Sequence, residues 1–194
     1  MKGMSWTLGI GDPSLMAWVT VFAYLICALC ALNLFRSAKV RFGTHQKQQS
    51  AFWLMMFVVM MALGINKQLD LQTLFTDLGR YFAREQGWYG HRGAVQKVFI
   101  LGVMCVGVLL LGSLCWFYRS VLKTNVLAIL GLTVLFIFVL VRASSFHAMD
   151  RFINLQFLGL KTNWILELGG IGLVLINQAL ISKAARPNKR AELS

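Results

Sequence analysis

The chain has 194 residues, 58% of them hydrophobic and 13% charged, with a mean hydropathy of +0.66. That balance places it in the membrane class and excludes a water-soluble domain with a polar shell. A formal net charge of +12 invites a nucleic-acid reading, yet the Lys and Arg are spread over short segments between apolar runs, with no basic face or binding motif, and nucleic acid is set aside as a partner.

Apolar runs lie at 14–35, 51–65, 98–118, 126–141 and 163–181. Most reach or approach the roughly 20 residues that a helix needs to cross a bilayer. They are read as an all-α, multi-pass membrane protein of five transmembrane helices, one domain over 1–182 with a basic tail over 183–194. A bacterial inner membrane is the expected location.

The first run follows Asp12 and Pro13, which read as N-cap and first helical position. The segment before it lacks a clustered basic region and no small-residue cleavage site follows, so a retained helix is expected instead of a signal peptide. Cys27 and Cys30 form "CALC" inside this run. Without electropositive surroundings to stabilise a thiolate, the pair is expected to pack as small hydrophobes, as are Cys105 and Cys115 in the third run.

The second run is short: fifteen uncharged residues from Ala51 cover only about 22 Å, less than the roughly 30 Å bilayer core. The helix is therefore expected to continue through Asn66. Beyond it, Leu71, Leu74, Phe75, Leu78 and Phe82 recur at helical spacing while Asn66, Asp70, Thr73 and Asp77 share the opposite stripe, which predicts an amphipathic interfacial helix over 66–86. It stops at "GWYGHRG", whose glycines permit a reversal and whose Trp88 and Tyr89 suit the headgroup level. After the fourth run, Ser144, His147, Asp150 or Arg151, and Asn154 fall close to one stripe, with Phe146, Met149, Ile153 and Phe157 on the other. The fifth helix is expected to start at Thr162 and to carry Glu167 about 8 Å past that start. An acid at that depth must face the bundle and have a partner. Glycines in the third and fifth runs, among them Gly102, Gly107, Gly112, Gly169, Gly170 and Gly172, would let helices approach closely.

Charge sets orientation. The segment with Arg36, Lys39, Arg41 and Lys47, the turn with Arg119 and Lys123, and the tail with Lys183, Arg186, Lys189 and Arg190 fall on one side only for five spans with the N-terminus outside and the C-terminus inside. That inner side then carries ten basic residues against Glu192 alone, and the outer side nine against six acids.

This topology gathers Asn66, Lys67, Asp70, Arg142, Ser144, His147, Asp150 and Glu167 at the outer face. One reading makes them caps and ion pairs, with Lys67 or Arg142 neutralising Glu167 and Asp150. A second is a site for a divalent metal held by His147 and Asp150, three apart on one helix, with Asp70 or Glu167 added from another. An open coordination position would then activate water. In that reading Asp70, His147, Asp150 and Glu167 carry the chemistry, and Asn66, Lys67, Arg142 and Ser144 hold a lipid or lipid-linked substrate. A Ser-His-acid arrangement from Ser144 or Ser145, His147 and Asp70 or Asp150 is disfavoured, because residues three apart on a helix point alike and no nucleophile elbow is present. Haem ligation by His147 and His91 has no second signal. The alternative to a lipid-active enzyme is a non-catalytic subunit or accessory factor of a larger membrane complex, its glycine-lined faces docking other membrane subunits.

Overall fold

The computed structural model describes residues 14–69, 78, 81, 82, 85, 92–143, 156, 157 and 160–184. In chain order it holds α1 (Leu15–Arg36), the short α2 (Ala38–Arg41), a 3-10 turn (Gly43–His45), α3 (Gln46–Leu69), α4 (Arg92–Phe117), α5 (Val126–Ala143) and α6 (Thr162–Ala184). A two-residue antiparallel pairing of β1 (Gln156–Phe157) with β2 (Leu160–Lys161) precedes α6. The architecture is therefore helical. By length and composition α1, α3 and α6 can each cross a membrane, while the apolar stretches Met104–Phe117 and Val126–Leu140 are shorter.

Local chemistry explains the boundaries. The cap of α1 is Ser14, whose Oγ accepts from the Ala17 N–H at 3.2 Å, so the start expected at Asp12 and Pro13 moves to a side chain that satisfies an orphan donor of the first turn. At the other end the Ser37 hydroxyl donates to the Asn33 carbonyl at 2.7 Å and accepts from Arg41 Nε at 2.7 Å, closing α1 and orienting α2. Gly43 then turns the chain with φ +47°, a conformation open to glycine without a steric penalty. As expected, α3 runs on past the apolar stretch, through Asn66 to Leu69. Of the amphipathic 66–86 segment beyond it, Leu78, Tyr81, Phe82 and Glu85 are described, all in helical backbone. Phe157, expected on a helical stripe, instead sits in β1 opposite Leu160. A backbone ladder there overrides the side-chain period, and 144–155 lie outside the described residues.

Packing runs from α3 to α1, from α1 to α6, from α6 to α5 and from α5 to α4. The buried face of α1 is Ala17, Thr20, Tyr24, Cys27, Ala28, Ala31 and Leu34, a stripe at helical spacing rich in small residues. Leu15, Phe22, Ile26 and Leu29 point outward. In lipid, apolar contact alone gives helices no reason to associate, so close approach through small residues takes over. Between α5 and α6 that approach is extreme: a Cβ on Gly131 would stand 2.5 Å from the Gly170 carbonyl oxygen, and one on Gly170 would stand 2.8 Å from Leu135 Cγ. Asn177 Nδ2 reaches the Thr124 carbonyl at 3.3 Å. Moving forward from Thr124, just before α5, to Gly131 within it therefore matches moving back from Asn177 to Gly170 along α6, which makes α5 and α6 antiparallel. The end of α5 and the start of α6 consequently lie at one end of the bundle, and the Lys67–Glu167 contact brings the end of α3 to the same end.

Candidate functional site

Glu167 lies one and a half turns into α6, on the face that also carries Ile171, Val174 and Gln178, and it is 2% exposed. Lys67 belongs to the stripe of α3 that buries Met56 and Met60, since seven residues are close to two turns, and it is 8% exposed. The two meet: Lys67 Nζ lies 2.9 Å from Glu167 Oε2. The second carboxylate oxygen, Oε1, accepts from the Tyr24 hydroxyl at 3.3 Å. Three helices, α1, α3 and α6, thus converge on one carboxylate, with a cation and a phenol as its partners. Gly64, one turn before Lys67, makes room for this: a Cβ there would sit 3.2 Å from Tyr24 Cβ.

Electrostatically the group is a neutral pair in an apolar surround. Each ion alone would cost several kcal/mol to desolvate, so each depends on the other and on the phenol for its presence here. The expectation that Glu167 faces the bundle with a partner is met, and the partner is Lys67. Asn66, beside it in sequence, is half-buried. Arg142 stands in the last turn of α5, its side chain outside the described structure, and Asp70, Ser144, His147 and Asp150 lie outside the described residues. Asp70 follows the described end of α3 by one residue, and Ser144 the end of α5 by one. Among the described residues no group of three His, Cys, Asp or Glu side chains is placed to hold a metal ion.

Tyr24 is the member that sequence reasoning missed. A hydroxyl in the middle of an apolar run is the available signal, since a buried tyrosine needs a partner for its O–H. A second polar layer at the opposite end was also missed. There Asn125 Nδ2 donates to Gln49 Oε1 at 3.0 Å, and Ser120 Oγ donates to Gln48 Oε1, tying the 118–125 turn to the start of α3. Gln178 Nε2 donates to the Cys27 carbonyl at 3.0 Å, joining α6 to α1. All four cysteines are free, and Cys27 is fully buried.

No family model, curated protein or solved structure matches this chain.

Proposed function

We propose that the chain is a five-span protein of a bacterial inner membrane, N-terminus outside and C-terminus inside, which binds a lipid or lipid-linked molecule at the outer end of the bundle and acts on it as a hydrolase or transferase. The observation that carries this reading is the buried Lys67–Glu167 pair with Tyr24, at the bundle end from which the chain continues into Asp70 and into Ser144, His147 and Asp150. Charges kept inside an apolar bundle, facing its interior, mark functional sites in membrane proteins by default. A site opening at the interface admits an amphiphilic substrate from the leaflet.

In this reading Glu167 has both oxygens engaged and holds the buried Lys67, the pair fixing the inner wall of the site, while Arg142, Asn66 and Ser144 meet the polar head of the substrate. The proton work falls to Asp70, His147 and Asp150, and a divalent metal on those three would supply an activated water, with a remaining carboxylate taking its proton. Elemental analysis of the purified protein beside His147→Ala and Asp70→Asn variants tests it. Stoichiometric metal in the parent and its loss in both variants is the expected result; a metal-free parent whose variants are unchanged in every assay returns the group to caps and ion pairs.

A second reading, a subunit or accessory factor of a membrane complex, draws on α4. This helix packs on α5, where the Phe136 ring lies against Gly107. Val98, Leu101, Val106, Val108, Leu109 and Leu110 stay more than half exposed. Gentle extraction with native mass analysis separates the two: a solitary, lipid-hydrolysing monomer favours the enzyme, and constant co-purification with a larger assembly favours the subunit.

A further inference from the structure

The bundle end opposite Lys67 and Glu167 collects the α1 C-terminus, α2, the 3-10 turn, the α3 start, the 118–125 turn and the end of α6. Every described Asp, Glu, His, Lys or Arg there is basic: Arg36, Lys39, Arg41, His45, Lys47, Arg119, Lys123 and Lys183, with no described carboxylate among them. All but Arg41 are exposed, and Arg41 is half-buried with its Nε held by Ser37. A collar of one sign attracts anions, and at a membrane surface the abundant anions are lipid phosphates.

Two observations make this more than diffuse charge. First, a shallow, open surface cleft of about 420 Å³ lies in the collar, lined by the consecutive residues His45, Gln46, Lys47 and Gln48. Ser120 bonds Gln48 at its wall, which brings the turn carrying Arg119 and Lys123 alongside. Second, side chains at the same end mark the headgroup level. Trp116 is 74% exposed with the Arg119 guanidinium 5.3 Å from its ring centre, and Val40, between Lys39 and Arg41, is 90% exposed. An indole paired with a cation suits the boundary between acyl chains and headgroups, and an apolar side chain flanked by two cations suits insertion beneath phosphates. We propose that this cleft binds the phosphodiester headgroup of an anionic phospholipid, with Lys47 and His45 on the phosphate, Lys123 and Arg119 on the adjoining rim, and the acyl chains running down the apolar flank past Trp116. The assignment needs only that the helices cross a bilayer, and it is independent of the chemistry at the other end.

Native mass spectrometry of the delipidated full chain in neutral detergent tests it, with titrations of dioleoyl phosphatidylglycerol, dioleoyl phosphatidylcholine and inorganic phosphate. The expected result is a phosphatidylglycerol adduct at about tenfold lower concentration than the phosphatidylcholine adduct, with the preference largely erased in Lys47→Gln/Lys123→Gln, since each cation near the surface is worth about fivefold. The unsubstituted protein supplies an arm that no folding defect can obscure: in about 1 M ammonium acetate, where the screening length falls to about 3 Å, the preference should collapse. Equal retention of the two lipids, or a preference unchanged by both the double substitution and high salt, would overturn the assignment. Displacement of the lipid by inorganic phosphate at an ionic strength at which ammonium acetate leaves it bound would also overturn it, giving the cleft to the free anion.

Discussion

Removing one partner of the Lys67–Glu167 pair tests whether the bundle depends on it. At 2.9 Å the attraction between unit charges is about 6 kcal/mol for an effective dielectric constant near 20. Desolvating two ions consumes most of this, so the intact pair adds little net stability, but a survivor left alone keeps its penalty without compensation. Glu167→Gln strands the Lys67 ammonium, 8% exposed, against a neutral amide, and Lys67→Met strands the carboxylate with only the Tyr24 hydroxyl. Each should cost about 3–5 kcal/mol. The double variant, which removes both charges from the same site, should recover most of that loss, and Tyr24→Phe should cost about 1 kcal/mol, because its bond is long at 3.3 Å. Reversible unfolding in mixed micelles, followed by circular dichroism, reads all four, and the two single charge variants, their double and the parent close a double-mutant cycle. A Glu167→Gln loss below about 1 kcal/mol, or losses that simply add in the double variant, would refute the claim that the two groups share a desolvated site.

The glycine crossing makes a sharper steric prediction: Gly131→Ala places a methyl 2.5 Å from the Gly170 carbonyl and 2.8 Å from Val174 Cγ2. It should cost about 1–3 kcal/mol by prising α5 from α6, whereas Gly169→Ala, which meets open space, should leave the unfolding midpoint in place. Reporter fusions after Lys47, Arg92, Thr124, Lys161 and Ser194 should alternate between inside and outside, beginning inside, and a cytoplasmic signal at Arg92 would sink the five-span orientation. Spin labels stepped along 66–86 should show accessibility with a period near 3.6 residues, and uniform exposure would remove the interfacial helix.

What the sequence determined by itself are the properties that a helix in lipid carries locally. Apolar runs set where α1, α3 and α6 lie, because every backbone N–H and C=O in hydrocarbon must be paired within its own segment. The cost of an unpaired charge foretold that Glu167 turns inward to a partner, and the extension of α3 past Ile65 followed from the shortfall in apolar length. Lys67 was legible as a candidate partner for Glu167, and the structure adds that it shares a buried stripe with Met60. The tertiary structure alone paired Lys67 with Glu167, brought Tyr24 to the same carboxylate, and set Gly131 against Gly170. It also placed Asn125 on Gln49 and Gln178 on the Cys27 carbonyl. Those outcomes hang on which helix neighbours which, and several helices of nearly uniform hydrophobicity can be arranged in many orders at similar cost in lipid. Only the sum of close approaches at small residues and of buried polar pairs, all between residues distant in sequence, singles out one order.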